Sequence, residues 1–125
     1  MPIKKINISE FIVLANEHPV FDVRSNGEYN HAHFPGANNL PLFSDEERKV
    51  VGTTYKKVGK KQAIKLGLDF FGVKMKSMVE DVEKILSTQQ IKSNIILVHC
   101  WRGGMRSAGV AWLLDLYGFE VYTLI

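Results

Sequence analysis

The stretch 95–108, with the sequence IILVHCWRGGMRSA, constrains the fold more than any other part of the 125-residue chain. Its first four residues are bulky and apolar without alternation, which is typical of a strand covered on both faces of a parallel sheet. Beyond Gly104, apolar residues recur at helical spacing from Ala108 to Leu114. The stretch therefore predicts a buried strand, a tight loop and a helix.

The predicted loop holds the single cysteine of the chain, Cys100, together with glycines and arginines. Amides at a helix start lack intrahelical partners, and glycines let the backbone turn such amides toward one point, where they bind anions. Nearby guanidinium groups and a helix N-terminus also favour the thiolate form of a cysteine. We predict that Cys100 is a nucleophile and that the following residues form its anion-binding loop: Trp101, Arg102, Gly103, Gly104, Met105 and Arg106.

The alternative interpretation is that Cys100 is a small buried side chain without chemistry, the commoner fate of a lone cysteine. Burial alone does not explain two glycines and two arginines within six residues, so we favour the functional interpretation. No second cysteine is present and no histidine pair stands at ligand spacing, so we predict no metal site.

The composition is that of an ordinary globular protein, with 46% hydrophobic and 23% charged residues and a net charge of +3. The length fits one domain over residues 1–125. The sequence has no apolar run long enough to span a membrane and its start lacks a signal-peptide core. A single cysteine fits a reducing compartment, and we expect a cytoplasmic protein without a membrane partner.

Short apolar segments alternate with helical patterns along the chain, which predicts a parallel α/β sheet. Ser9 is interpreted as the N-cap of the first helix, and two serine–glutamate pairs at capping-box spacing mark further helix starts. The polar, lysine-rich stretch 52–65 is left without a helix boundary. Trp112, at helical spacing from Ala108 and Leu116, is predicted to lie in the core.

The segment 21–41, FDVRSNGEYNHAHFPGANNLP, resembles the first signature of the rhodanese family, and the cysteine loop resembles the rhodanese active-site loop. The resemblance implies a rhodanese-like α/β fold, with a central parallel sheet flanked by helices on both faces. It also implies that Cys100 carries the transferred chalcogen as a persulfide or perselenide. By the same resemblance Asp22, Arg24 and His33 are structural residues.

The segment 40–67, the loop CWRGGMRS and the run AWLLDLYGFEVYTL resemble the amino-terminal domain of the tRNA 2-selenouridine synthase family. In that family a rhodanese domain precedes a P-loop domain, and selenium from selenophosphate replaces the sulfur of wobble 2-thiouridine. The resemblance implies selenophosphate or a sulfur donor as substrate, tRNA as a partner mainly of the P-loop domain, and no resident cofactor in this chain. Because the chain lacks a GxxxxGK[ST] motif and ends at its last predicted strand, we expect a fragment of a longer protein.

Three other functions remain open on the sequence alone. The loop also satisfies the HCxxxxxR pattern of cysteine-dependent phosphatases, with Asp22, Asp45 and Asp115 as formal general-acid candidates. A stand-alone thiosulfate or persulfide sulfurtransferase would not need tRNA, and a binding module would tolerate loss of the cysteine. The densest lysine cluster is interpreted as a solvated face, with contact to tRNA phosphates as the alternative; it comprises Lys56, Lys57, Lys60, Lys61 and Lys65.

Overall fold

The computed structural model describes residues 3–100 and 104–125. Strands and helices alternate at both ends of the chain, and three helices follow one another in its middle. In chain order the elements are β1 (Lys4–Ile6), α1 (Ile8–Ala15), β2 (Val20–Asp22), α2 (Asn26–His31), β3 (Asn38–Asn39), α3 (Asp45–Lys57), α4 (Lys60–Gly72), α5 (Met75–Thr88), β4 (Ile95–His99), α6 (Met105–Tyr117) and β5 (Glu120–Leu124).

The five strands form one sheet in the order β1-β5-β4-β2-β3, and every pairing is parallel. β4 lies at the centre, where Ile96, Leu97 and Val98 are fully buried. This confirms the buried strand predicted from the unbroken apolar run. The carboxyl end of β4 leads directly into Cys100, so the sheet centre fixes the position of the cysteine.

Helices cover both faces of the sheet, as predicted. Phe11 of α1 packs with Leu97 of β4 on one face. On the other face, side chains of α4, α5 and α6 pack against Ile96 and Val98, with Phe71, Val82 and Leu114 among them. Because successive strand residues point to opposite faces, the apolar run of β4 supplies both cores at once.

The helix starts follow local side-chain chemistry. Both predicted capping boxes are present, at Ser25 before α2 and at Ser44 before α3. The prediction that Ser9 is the N-cap of the first helix was wrong. The helix α1 begins at Ile8, and Asn7 is its N-cap. The Asn7 side chain accepts a hydrogen bond from the amide of Glu10 at 2.9 Å. This pair also stands at capping-box spacing, so the local signal was present two residues earlier.

The stretch left without a boundary contains the end of α3 and the start of α4, and these two helices form a helical hairpin. Gly59 lies between them with φ of +147°, a conformation that side-chain-bearing residues rarely adopt. The five lysines of the predicted cluster lie on this hairpin and are exposed. None of the described helices has the length and apolar character needed to cross a membrane.

Candidate active site

Cys100 lies where β4 ends and faces the first turn of α6. Its Sγ accepts a hydrogen bond from the backbone amide of Ser107 at 3.3 Å. Gly104 is the N-cap of α6 with φ of +70°, and this left-handed turn brings the helix start back toward the sulfur. An amide at a helix start is thus aimed at Cys100, which stabilises negative charge on the sulfur.

The Ser107 hydroxyl is a second partner of the sulfur. Its Oγ lies 3.2 Å from Cys100 Sγ and 3.1 Å from the carbonyl oxygen of Gly104. When the cysteine is a thiol, it donates to Ser107, which donates to Gly104; when it is a thiolate, the hydroxyl proton can turn to the sulfur. Ser107 is buried, and it was not among the residues predicted to form the site. The available signal was a serine in the first turn of the helix that follows the cysteine.

Arg24 and Asp22 form a buried ion pair where β2 ends. The guanidinium donates to the Asp22 carboxylate through Nη2 at 2.7 Å and through Nε at 3.0 Å, and Nη2 also donates to the Ala32 carbonyl at 2.7 Å. The hydrogen bond to Asp22 raises the pKa of Arg24 against the effect of burial, and negative charge on Cys100 adds to the rise. The pair fits the structural role that the rhodanese signature implies for both residues.

Arg106 is held by Glu28 of α2. Nη1 donates to Glu28 Oε1 at 2.7 Å and Nη2 to Oε2 at 3.2 Å, so two parallel hydrogen bonds join the start of α6 to α2. Partial burial would raise the pKa of Glu28, but the hydrogen bonds and charge of Arg106 and the bonds from Ser25 outweigh it and lower the pKa to about 2. Glu28, predicted only as a helix cap, is therefore also the carboxylate that positions Arg106.

His99 precedes the cysteine, and the centre of its ring lies 6.3 Å from the centre of the Phe11 ring of α1. Its Nδ1 is buried without a hydrogen-bond partner among the described residues. Burial lowers the pKa of His99; Asp22 opposes this effect, while the positive charges of Arg24 and Arg106 add to it. His99 is therefore neutral at pH 7 and supplies no positive charge to a thiolate.

A cavity of about 710 Å³ opens beside Cys100. The first turn of α6, including Gly104, forms one wall, and Lys5 of β1 and Thr123 of β5 belong to the other. A second cavity of about 360 Å³, lined mainly by apolar side chains, lies between the α3–α4 hairpin and the start of α6. Arg106 lines this second cavity and is not among the described lining residues of the first.

The phosphatase candidates for a general acid do not converge on the cysteine. Asp22 accepts hydrogen bonds from the Arg24 guanidinium, and Asp45 accepts a hydrogen bond from the Gly27 amide at 2.9 Å. Asp115 lies near the end of α6, away from the helix start at Cys100. Among the described residues none of the three lines the cavity of Cys100.

The remaining predicted loop residues are described only in part. Trp101, Arg102 and Gly103 lie outside the described residues, so their predicted roles stay predictions. Met105 begins α6 and is half exposed. The described residues include no group of three or more His, Cys, Asp or Glu side chains placed to hold a metal ion.

A cysteine between the end of a central parallel strand and a helix start is the arrangement that the stretch 95–108 predicts. The rhodanese-like domain family matches residues 8–125. The chain belongs to this family. The solved N-terminal domain of a putative ATP/GTP binding protein from Clostridium difficile 630 superposes with a TM-score of 0.78 at 36% identity, covering 98% of this chain and 90% of that one.

Relatives of this rhodanese domain include proteins named tRNA 2-selenouridine synthase. The Shewanella pealeana protein is 38% identical over 122 residues, which is 97% of this chain and 33% of the relative. The Nitrosomonas europaea protein is 41% identical over 98 residues, 78% of this chain and 25% of the relative. The chain thus spans about a third or less of the length of these curated relatives.

Proposed function

We propose that this rhodanese domain is the chalcogen-transfer domain of a tRNA 2-selenouridine synthase, with Cys100 as the residue that carries sulfur or selenium. The observation that carries the proposal is the Ser107 amide donating to Cys100 Sγ at the start of α6. The names of the relatives support the choice of reaction, since several are synthases of tRNA 2-selenouridine. Selenophosphate is the selenium donor that the resemblance implies, with tRNA as the eventual acceptor.

The loading step can be written for donors in which the transferred atom is bonded to a sulfite group. The Cys100 thiolate attacks the terminal sulfur of thiosulfate or the selenium of selenosulfate. The new bond forms to the cysteine sulfur, the bond to the sulfite sulfur breaks, and sulfite leaves with the electron pair. The product is a cysteine persulfide or perselenide anion, which the Ser107 amide and hydroxyl can stabilise.

Mass spectrometry of the intact chain tests the proposal, because the sequence contains one cysteine and any adduct on a thiol is therefore on Cys100. Separate incubations with thiosulfate, selenosulfate, selenophosphate and an aryl phosphate distinguish sulfur loading, selenium loading and phosphatase chemistry. With thiosulfate or selenosulfate we expect one added sulfur or selenium atom in the wild type and none in Cys100→Ser. An added phosphate instead would replace the proposal with a phosphocysteine enzyme.

Ser107→Ala provides a graded test of the same site. It removes the hydroxyl and keeps the backbone amide, so loading should slow by about tenfold and not stop, since one hydrogen bond to a charged group is lost. The rate of adduct formation by quenched mass spectrometry measures the effect. A rate equal to that of the wild type would mean that the hydroxyl does not stabilise the reacting sulfur.

Contact with tRNA phosphates is the alternative to a solvated face for the exposed lysines of the α3–α4 hairpin. Each phosphate that a lysine neutralises steepens the salt dependence of binding. Titration of tRNA against the wild type and a variant with charge reversals at Lys57 and Lys61 should give a shallower salt dependence for the variant. Equal slopes would remove the hairpin from the tRNA surface.

A further inference from the structure

The wall of the Cys100 cavity opposite α6 carries two polar side chains that stand next to each other. Lys5 of β1 and Thr123 of β5 are register partners in adjacent parallel strands, and both line the cavity. Register partners in adjacent strands point to the same face of a sheet. The ammonium group of Lys5 and the hydroxyl of Thr123 therefore belong to one face and one cavity.

Neither group has a partner within the described part of the chain. Thr123 is 5% exposed, and its hydroxyl makes no hydrogen bond to another described residue. Lys5 forms no ion pair with a carboxylate in residues 3–100 and 104–125, and its neighbours in the wall include the aliphatic side chains of Ile3 and Ile125. Lys5 is exposed to solvent, and an anion in the cavity could accept one hydrogen bond from its ammonium group and another from the Thr123 hydroxyl.

The other positive groups near the cysteine that the structure describes are engaged elsewhere. Arg24 is paired with Asp22, and Arg106 is paired with Glu28 and lines the other cavity. His99 also lines the Cys100 cavity, but burial lowers its pKa and leaves it neutral at pH 7. Among the described residues, Lys5 is thus the cation that faces the Cys100 cavity without a counter-ion.

The sheet register places Lys5 and Thr123 at a distance from Cys100 that a lysine side chain and a small anion can span. Lys5, Thr123 and Val98 occupy one row across β1, β5 and β4, and Cys100 follows Val98 by two residues. Two strand spacings separate the backbones of Lys5 and Val98 by about 10 Å. A long lysine side chain and a small anion can bridge that interval, with the anion lying between the ammonium group and the sulfur.

We propose that Lys5 and Thr123 form an oxyanion subsite that binds the oxygen atoms of the chalcogen donor while its terminal atom lies at Cys100. The proposal rests on the function proposed above and adds the part of the site that recognises the leaving group. The ligand class is a small tetrahedral oxyanion, such as the sulfite portion of thiosulfate or of selenosulfate. Lys5 donates to a charged oxygen, and Thr123 donates one further hydrogen bond.

The neighbouring lysine provides a matched control. Lys4 has the same charge and lies in the same strand, but it points to the opposite face, where its ammonium group lies 5.6 Å from the centre of the Tyr122 ring. Lys4→Gln and Lys5→Gln change the net charge equally and differ only in the face affected. Long-range attraction of an anion would change in both variants, whereas direct binding in the cavity would change in one.

The first measurement is the thiosulfate concentration that gives half-maximal persulfide formation at Cys100. We expect Lys5→Gln to raise it by about tenfold or more, because a hydrogen bond to a charged group is lost. Lys4→Gln should leave it unchanged, Lys5→Arg should restore most of the affinity, and Thr123→Val should raise it several-fold. Equal values for Lys4→Gln and Lys5→Gln would overturn the proposal.

The second measurement does not depend on chalcogen transfer. Inorganic phosphate should slow the alkylation of Cys100 by iodoacetamide in the wild type and in Lys4→Gln, and should protect Lys5→Gln much less. Absence of protection in every variant, or equal protection in Lys5→Gln, would refute the subsite. Phosphate protection that depends on Lys5, found without any sulfur or selenium loading, would support the subsite and refute the proposed transfer function.

Discussion

The two arginine–carboxylate pairs beside Cys100 differ in what they connect. Asp22 and Arg24 are two residues apart, and their side chains are 1% and 10% exposed. Glu28 and Arg106 are 78 residues apart, and their side chains are 20% and 19% exposed. The first pair is built within one chain segment and completes the end of β2, whereas the second fixes the start of α6 against α2. The first should therefore matter more for stability and the second more for the position of the cysteine loop.

The largest effect is expected from Asp22→Asn. The variant keeps the shape of the side chain but leaves the buried Arg24 guanidinium without its counter-charge. Breaking one partner of a buried ion pair costs about 3 to 5 kcal/mol of unfolding free energy. Urea unfolding followed by circular dichroism measures the loss. A cost below about 1 kcal/mol, the range of exposed pairs, would show that the buried pair does not stabilise the end of β2.

Glu28→Gln should have an intermediate effect. At pH 7 the variant loses the charge of a carboxylate whose pKa is lowered from 4.5 to about 2, which corresponds to at most about 3.4 kcal/mol, and solvent screening of this partly exposed pair reduces that value. Because the folded-state pKa is the lower one, this stability is fully present above about pH 4.5 and is lost as the pH falls toward 2. The difference in unfolding free energy between the wild type and Glu28→Gln should therefore shrink over that range. A difference that stays constant would contradict a charge-based role.

The coupling between Glu28 and Arg106 sharpens the same comparison. In a double-mutant cycle of Glu28→Gln and Arg106→Gln, the costs should be clearly non-additive, with a coupling energy of about 1 to 2 kcal/mol. The matched cycle of Glu28→Gln with Asp22→Asn should be closer to additive, because the structure records no direct bond between those carboxylates and each has its own arginine. Equal coupling in both cycles would mean that the two pairs act as one network.

The fold could be predicted from the sequence where the signal is local. The unbroken apolar run of β4 and the capping boxes at Ser25 and Ser44 each depend on residues within a few positions of one another. The helix boundary between α3 and α4 was missed because it depends on one glycine, Gly59, in a conformation that sequence alone does not reveal. Patterns of neighbouring residues therefore predicted the presence of strands and helices better than the residues at which these begin and end.

The prediction that Trp112 lies in the core was wrong, because the helix face that carries it does not pack against the sheet. Ala108, Trp112 and Leu116 do share a face at helical spacing, but that face is exposed, with Trp112 at 50% and Leu116 at 69%. The buried face carries Val110 and Leu114 instead. Since α6 is apolar on both faces, its periodicity does not tell which face meets the sheet.

The sequence predicted the part of the site that comes from one stretch of the chain, but it did not predict the contacts that distant residues make there. Cys100 and the helix start that meets it come from one stretch of chain, so the sequence could place them together. The partner of Arg106 and the lysine in the cavity wall come from distant strands and helices. Tertiary packing alone brings Glu28 and Lys5 to the cysteine region, and no short motif records that.

The smallest effect is expected from Arg48→Gln, which tests whether burial or mere proximity to Glu28 sets the energy. Arg48 Nε lies 3.5 Å from Glu28 Oε1, and its side chain is 48% exposed, so water and salt screen the attraction. We expect a loss of about 0.5 kcal/mol or less that disappears at high salt. Arg106→Gln, which removes the shorter and more buried partner of the same carboxylate, should cost several times more. If urea unfolding gave equal costs for the two arginines, exposure would not rank the ion pairs of this site, and the order expected between Asp22 and Glu28 would lose its physical basis.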